Sequence, residues 1–121
     1  MDKTIVIVDD FQTNTVVMRH ALHQKGFEIL EANDPSEALN FFDGRKIDLM
    51  VTDFKMPGMT GAELTKQVKS KPQYINMPVL ILSSEKSEQC KVDARNAGAY
   101  GWLNKPFDIN RFLKIINSIF K

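Results

Sequence analysis

Residues 4–10 read Thr-Ile-Val-Ile-Val-Asp-Asp, an apolar and mostly β-branched run that ends in two carboxylates. A continuous apolar run of this length is typical of a strand buried on both faces of a parallel sheet. A second run of the same kind, Val79-Leu80-Ile81-Leu82, ends at Ser83. The two stretches predict a parallel sheet whose strands end in polar side chains.

Three further apolar runs follow this pattern, and each is separated from the next by a stretch long enough for a helix. The run at 27–32 alternates charged residues with Ile29 and Leu30, which favours an edge strand. The predicted strands are residues 4–9, 27–32, 48–53, 79–83 and 99–103.

Helix signals lie between these runs. Asp34 followed by Pro35 predicts an N-cap and a first helical position, and Gly44 predicts the end of that helix. A later helix is expected to stop at Gly98, and Asp108 is expected to cap the last one. On this last helix, apolar side chains at helical spacing should face the sheet: Ile109, Phe112, Leu113, Ile116 and Phe120.

Five strand–helix units in 121 residues predict an open, doubly wound α/β sheet, because an eight-unit barrel needs about twice this length. The chain is expected to form one domain. In such sheets the ligand site lies beyond the carboxyl ends of the strands, near the point where the strand order reverses.

The charges are balanced, with 16 Lys and Arg against 15 Asp and Glu and a net charge of +1. This balance lacks the basic field on which non-specific nucleic-acid binding depends, and no apolar run approaches the roughly 20 residues of a membrane span. Cys90 is the only cysteine and cannot form an internal disulfide. We expect a cytoplasmic protein with no nucleic-acid partner and no membrane insertion.

Several polar side chains should meet at the carboxyl edge of the sheet. Asp9 and Asp10 follow the first strand, Asp53 ends the third, Ser83 ends the fourth and Lys105 follows the fifth. Three acids held together repel one another unless a cation lies among them. Oxygen ligands favour Mg²⁺, Mn²⁺ or Ca²⁺ over zinc or copper. With only two or three carboxylates, Mg²⁺ that keeps several waters is the expected ion, and Mn²⁺ is the alternative. A carboxylate beside Mg²⁺, a lysine and a hydroxyl meets the needs of phosphoryl transfer to Asp53.

These residues also form a family pattern. The elements are Val8-Asp9-Asp10, the stretch Asp53-Phe54-Lys55-Met56-Pro57-Gly58-Met59-Thr60-Gly61, Ser83, and Ala97-Gly98-Ala99 leading through Trp102 to Lys105-Pro106-Phe107. In order and spacing the sequence resembles the receiver domain of two-component response regulators, in its single-domain CheY-like form, over essentially the whole chain.

The resemblance implies a flavodoxin-like (βα)5 fold with strand order 2-1-3-4-5, spanning residues 1–121 without an output domain. It implies that Asp53 accepts a phosphoryl group from a phosphohistidine of a sensor histidine kinase or phosphotransfer protein. Asp9, Asp10, Asp53 and the backbone carbonyl of Lys55 would bind Mg²⁺. A cis peptide bond before Pro106 is also expected.

The resemblance further assigns the phosphoryl contacts to Ser83 and Lys105, and the conformational switch to Ser83 and Trp102. Ser83 stands where Thr is frequent, and Trp102 stands where Tyr or Phe is usual, so the steric coupling between them is expected to differ. Lys55 and Glu85 occupy positions that flank the phosphoryl group. We hypothesise that they pair across the site, obstruct water and prolong the lifetime of the aspartyl phosphate.

A target protein is expected on the face formed by the fourth helix, fifth strand and fifth helix, with the receiver acting as a monomer. The chemotaxis-type signalling of the CheY-like form is the expected setting, and a phosphorelay intermediate or a kinase regulator is the alternative. The residues expected on this face are Lys91, Arg95, Trp102, Arg111, Ile115 and Ile119.

Other classes of function match the residues less well. An Mg²⁺-dependent phosphohydrolase on a related fold would carry an Asp-x-Asp-x-Thr motif, but Asp53 is followed by Phe-Lys-Met-Pro. A nucleotide or flavin carrier would need a phosphate-binding loop, which is missing after the first strand. A receiver-like scaffold that is never phosphorylated would not need the complete acid, hydroxyl and lysine set.

Overall fold

The apolar runs form five parallel strands of one sheet. The computed structural model describes residues 3–10 and 12–121, and it describes the backbone alone at 12–14. The elements in chain order are β1 (Thr4–Val8), α1 (Gln12–Gln24), β2 (Glu28–Ala32), α2 (Pro35–Phe41), β3 (Leu49–Asp53), α3 (Gly61–Lys69), a 3₁₀ turn (Pro72–Tyr74), β4 (Val79–Ser83), α4 (Glu88–Asn96), β5 (Gly101–Asn104) and α5 (Ile109–Ile119).

The strand order is β2-β1-β3-β4-β5, which confirms the predicted flavodoxin-like order and the edge position of β2. The register pairs Val8 with Thr52, Asp53 with Leu82, and Ser83 with Asn104. All strands run in the same direction, so this register brings the residues that end β1, β3, β4 and β5 to one edge.

Successive strand residues point to opposite faces of the sheet and pack into two separate hydrophobic cores. Val6 and Ile81 point into a cluster with Leu64 of α3, while Ile7 and Leu82 point into a cluster with residues of α1 and α5. Phe112 and Ile116 of α5 are fully buried in the second cluster, and the predicted companions Ile109, Leu113 and Phe120 pack against it half-buried. Helices on both faces therefore hold the sheet edge that carries the polar residues.

The predicted caps are present. The carboxylate of Asp34 accepts a hydrogen bond from the Glu37 backbone, and that of Asp108 accepts one from the Asn110 backbone. Gly98 has φ +99° and follows the C-cap of α4. Its N–H bonds to Arg95, and the next N–H, of Ala99, bonds to Ala94, which is a Schellman motif.

Several predicted strand boundaries differ from the structure by one residue, and two predicted boundaries differ by more. Ala99 belongs to the cap of α4, so β5 begins at Gly101 rather than at residue 99. The helix α2 ends at Phe41, and Phe42 bonds to Leu39 in a tightened last turn. Gly44 lies in the following loop, where its N–H donates to the hydroxyl of Tyr74.

Candidate functional site

Three carboxylates meet at the carboxyl edge of the sheet. One oxygen atom from each of Asp9, Asp10 and Asp53 lies within 4.8 Å of the others. Asp9 is 1% exposed and Asp53 8% exposed, whereas Asp10 faces solvent. The predicted acid cluster is therefore formed, with two of its members buried.

The ammonium group of Lys105 lies against the two buried acids. Its Nζ is 3.1 Å from Oδ1 of Asp53 and 3.4 Å from Oδ2 of Asp9. The backbone N–H of Lys105 donates to the carbonyl of Ser83, which fixes the start of the loop after β5. The peptide bond between Lys105 and Pro106 is cis, as the resemblance implied.

The surroundings of Asp53 act on its charge in opposite directions. Burial raises the pKa of Asp53 above its ordinary value, and this effect is the largest. The ammonium of Lys105 lowers the pKa, while the neighbouring charges of Asp9 and Asp10 raise it. The net shift is upward, so the ionised Asp53 is held at some cost in this arrangement.

The donor set fits a hard divalent cation. Three carboxylates face one ammonium group, so the cluster keeps an excess of negative charge that a metal ion would neutralise. Oxygen-only ligands are those that Mg²⁺ and Mn²⁺ prefer. The ligand role of the Lys55 backbone carbonyl stays a prediction.

Ser83 is placed at the same edge as the last residue of β4 and is 1% exposed. Its Oγ accepts a hydrogen bond of 2.8 Å from the backbone N–H of Glu85. A hydroxyl that accepts one bond still has its own O–H to donate. Ser83 is therefore buried at the same sheet edge as the acids, and its O–H remains able to donate a hydrogen bond. The phosphoryl contact stays a prediction.

The expected pair of Lys55 and Glu85 is not formed. Both residues belong to the described part of the chain, and no ion pair joins them there. The Lys55 side chain is exposed, and Glu85 is held by its backbone bond to Ser83. Sequence position placed both residues near the site, but it did not determine where their side chains reach.

Two contacts of Trp102 were missed at the sequence level. The indole ring lies 5.5 Å from the ring of Phe54, centroid to centroid, at an angle of 50°. The indole Nε1 donates to Oδ1 of Asn104 over 3.0 Å. The strand period of two, which places residues 102 and 104 on one face of β5, is the signal that points to the second contact.

Gly61 has a role that the motif alone did not reveal. Its N–H donates to the carbonyl of Phe54 over 2.6 Å. A Cβ atom at this position would lie 2.5 Å from the backbone oxygen of Asp53 and 3.1 Å from Cα of Phe54. The start of α3 thus packs directly on the backbone of the acid, which is the reason for a glycine here.

The expected partner face is brought together only in part. A groove of about 340 Å³ between α4 and β5 is lined by Lys91, Arg95 and Trp102, together with the exposed Tyr100. The α5 residues of the prediction do not line this groove. Ile115 and Ile119 are half-buried against the second core cluster, and Arg111 is exposed.

Comparison with known proteins identifies the class. The family model described as the response regulator receiver domain matches residues 5–117, so the chain belongs to this family. It is 35% identical to the chemotaxis protein CheY of Pseudomonas aeruginosa over 118 residues, which is 97% of this chain and 95% of that protein. Identity to CheY-3 of Vibrio cholerae is 33%, over 97% of this chain and 91% of that protein.

Solved structures agree with this assignment. The chemotaxis response regulator CheY4 of Vibrio cholerae superposes with a TM-score of 0.91 at 34% identity, covering 98% of this chain and 99% of that one. A CheY-like receiver domain protein of Methanospirillum hungatei superposes with a TM-score of 0.89 at 28% identity, covering 98% and 93%. The protein is a CheY-like receiver of two-component signalling. No helix in the described residues has the length and apolar character needed to cross a bilayer.

The raised pKa of Asp53 makes a prediction for stability. In Mg²⁺-free buffer at pH 7, Asp53→Asn should increase the free energy of unfolding, because it removes a carboxylate that is charged less readily in the folded state than in the unfolded chain. The wild type loses stability as pH rises from the unfolded Asp pKa of about 4 through the higher folded value. The gain from Asn should therefore be largest at pH 7 and shrink toward pH 4 in urea titrations.

Asp93→Asn is the matched control for this prediction. Asp93 is exposed on α4, and its carboxylate accepts a bond from Gln89 that an amide oxygen can also accept. This variant should leave the free energy of unfolding close to that of the wild type. A loss of stability in Asp53→Asn at pH 7 would contradict the assigned electrostatics.

Proposed function

We propose that the protein is a phosphorylation-activated switch in which Asp53 accepts a phosphoryl group from a phosphohistidine of a partner kinase or phosphotransfer protein. The observation that carries the proposal is the contact of the Lys105 ammonium with Asp53 and Asp9 inside the acid cluster. This is the site where doubly wound sheets hold their ligands.

The chemistry of transfer follows from the residues. An oxygen of Asp53 forms a bond to phosphorus while the phosphorus–nitrogen bond of the donor breaks, and the imidazole leaves with that electron pair. Mg²⁺ held by Asp9, Asp10, Asp53 and the Lys55 carbonyl would neutralise charge on the transferring group.

The phosphoryl group then offers new partners to Lys105 and Ser83. The ammonium of Lys105, which contacts two carboxylates in the unmodified protein, gains phosphoryl oxygens as acceptors, and the Ser83 hydroxyl can donate to another. Ser83 and Lys105 are joined through a backbone hydrogen bond, so movement of one displaces the other. The two states differ in these contacts, which is the condition for a shift in population.

The output is a change in affinity for a target protein at the groove between α4 and β5. Lys91 and Arg95 make this groove basic, and Trp102 and Tyr100 make it aromatic, so it suits an acidic segment with an apolar anchor. The similarity to chemotaxis proteins favours chemotaxis signalling. We further propose that the receiver acts in the cytoplasm as a monomer. A phosphorelay intermediate or a kinase regulator is the alternative role.

The phosphoacceptor is tested with a small donor. Addition of acetyl phosphate with Mg²⁺ should increase the intact mass of the wild type by one phosphoryl group and change the fluorescence of Trp102, the only tryptophan. Asp53→Asn should show neither change, because it lacks the nucleophile. Asp93→Asn is again the control and should behave as wild type. A mass increase that persists in Asp53→Asn would refute the assignment.

The proposed roles of Lys55 and Glu85 are tested by measuring how long the phosphoryl group stays on Asp53. We propose that each restricts the approach of water, and that Lys55→Ala and Glu85→Ala therefore each accelerate loss of the phosphoryl group severalfold. No ion pair joins these two described residues, so their effects on the rate should multiply in the double variant. The decay of phosphorylated protein by intact mass measures this, with the exposed Lys86→Ala as control. Unchanged decay in Lys55→Ala would exclude a role for that side chain.

The groove is tested by reversing its charge. Phosphorylated protein immobilised on resin should retain a target from a lysate of the native cells that unmodified protein does not. Lys91→Glu combined with Arg95→Glu should abolish this phosphorylation-dependent retention, because it turns the groove acidic. Lys25→Glu, an exposed residue beyond α1, should leave it intact. Retention that survives the double reversal would place the target elsewhere.

A further inference from the structure

Trp102 is connected to the proposed phosphorylation site through two of its side-chain contacts, a hydrogen bond and a ring contact. Asn104, which accepts the indole N–H over 3.0 Å, directly precedes Lys105. Phe54, whose ring lies 5.5 Å from the indole, directly follows Asp53. Phe54 and Asn104 are therefore covalent neighbours of Asp53 and Lys105, the two residues that form the central ion pair of the site.

The backbone around Asn104 links its position to that of Lys105. Asn104 pairs with Ser83 in the sheet register, and the next N–H, of Lys105, donates to the Ser83 carbonyl over 2.8 Å. Lys105 reaches back to Asp53 and Asp9 from this point. A shift of Lys105 toward a new acceptor therefore pulls on Asn104, the residue that holds the indole.

We propose that Asn104 is a positioning residue whose side-chain carbonyl holds Trp102 in its unphosphorylated orientation, so that phosphorylation reaches Trp102 through Lys105 and Asn104. This inference rests on the proposed function of Asp53. The expected coupling of Ser83 to Trp102 is steric. The proposal adds a second connection, from Lys105 to Trp102, that depends on the hydrogen bond of Asn104.

The residue types at positions 102 and 104 complement each other as donor and acceptor. The indole N–H is a donor only, and the Asn side chain provides a carbonyl acceptor two residues along the same face of β5. A Phe ring at position 102 would have no donor, and a Tyr ring would carry its donor at the tip. The tryptophan in this chain is thus matched to the asparagine that follows it.

The hydrogen bond itself is tested by the single indole resonance in a ¹H–¹⁵N spectrum of the unphosphorylated protein. Asn104→Ala should shift this resonance and speed exchange of its proton with solvent, because the acceptor is lost. Asn104→Asp keeps an oxygen acceptor and should restore slow exchange. Asn117→Ala removes an exposed Asn of α5 and should leave the resonance unchanged. An indole signal in Asn104→Ala identical to wild type would overturn the proposal.

The coupling is tested by titration with acetyl phosphate in the presence of Mg²⁺, followed by intact mass. Asn104→Ala should reach half-maximal phosphorylation at a roughly three- to tenfold lower donor concentration, because one net hydrogen bond no longer opposes the change. In a Trp102→Phe background, which lacks the donor, Asn104→Ala should have no further effect. The same fold-change in both backgrounds would show that Asn104 does not act through Trp102 and would overturn the proposal.

The two measurements separate failure of this inference from failure of the proposed function. No mass increase in the wild type would refute phosphorylation of Asp53, and the transmission through Asn104 with it, while the indole exchange experiment would still report the bond. If the wild type gains the mass of a phosphoryl group but Asn104→Ala and Trp102→Phe change the half-maximal donor concentration additively, the role of Asn104 is refuted. The phosphorylation of Asp53 would then still stand.

Discussion

The contact of the Lys105 ammonium with Asp53 and Asp9 is the interaction on which the site depends. Two of the acids are buried and a third is close by, an arrangement that like-charge repulsion opposes. The ammonium offsets part of this repulsion, but the pKa of Asp53 is still raised, because burial outweighs the attraction of Lys105. The acid cluster is thus under electrostatic strain, and binding of a cation would relieve it. Such a site favours the uptake of a metal ion.

The two-sided sheet explains why this strain is tolerated. Strands β1, β3 and β4 are buried on both faces by separate clusters, and the helices that cover them fix the positions of their carboxyl ends. The start of α3 approaches so closely that only a glycine, Gly61, fits against the backbone of Asp53. The fold therefore holds Asp53 in place by packing, although burial disfavours its charge.

In the proposed function, the signal passes through the same edge of the sheet. Residues that follow Asp53 and precede Lys105 both touch the indole of Trp102, which in turn lines the basic and aromatic groove between α4 and β5. Residues in contact with one another, or adjacent in the chain, thus lead from Asp53, the proposed phosphorylation site, to the groove. In the proposed switch, the hydrogen bond from Trp102 to Asn104 responds to small movements of Lys105. A hydrogen bond is lost over a smaller displacement than a ring contact.

The strands, the caps at Asp34 and Asp108, and the set of Asp9, Asp10, Asp53, Ser83 and Lys105 followed from the sequence alone, because local periodicity and residue chemistry specify them. The register confirmed that the strand ends align, and this alignment is what makes the set a site. The early end of α2, the unformed pair of Lys55 and Glu85, the close approach of Gly61 and the bond between Trp102 and Asn104 were decided by the tertiary structure. These features depend on distances between side chains and backbones, which packing sets. Spacing along the chain indicates at most that Trp102 and Asn104 share a face of β5, and it does not give those distances.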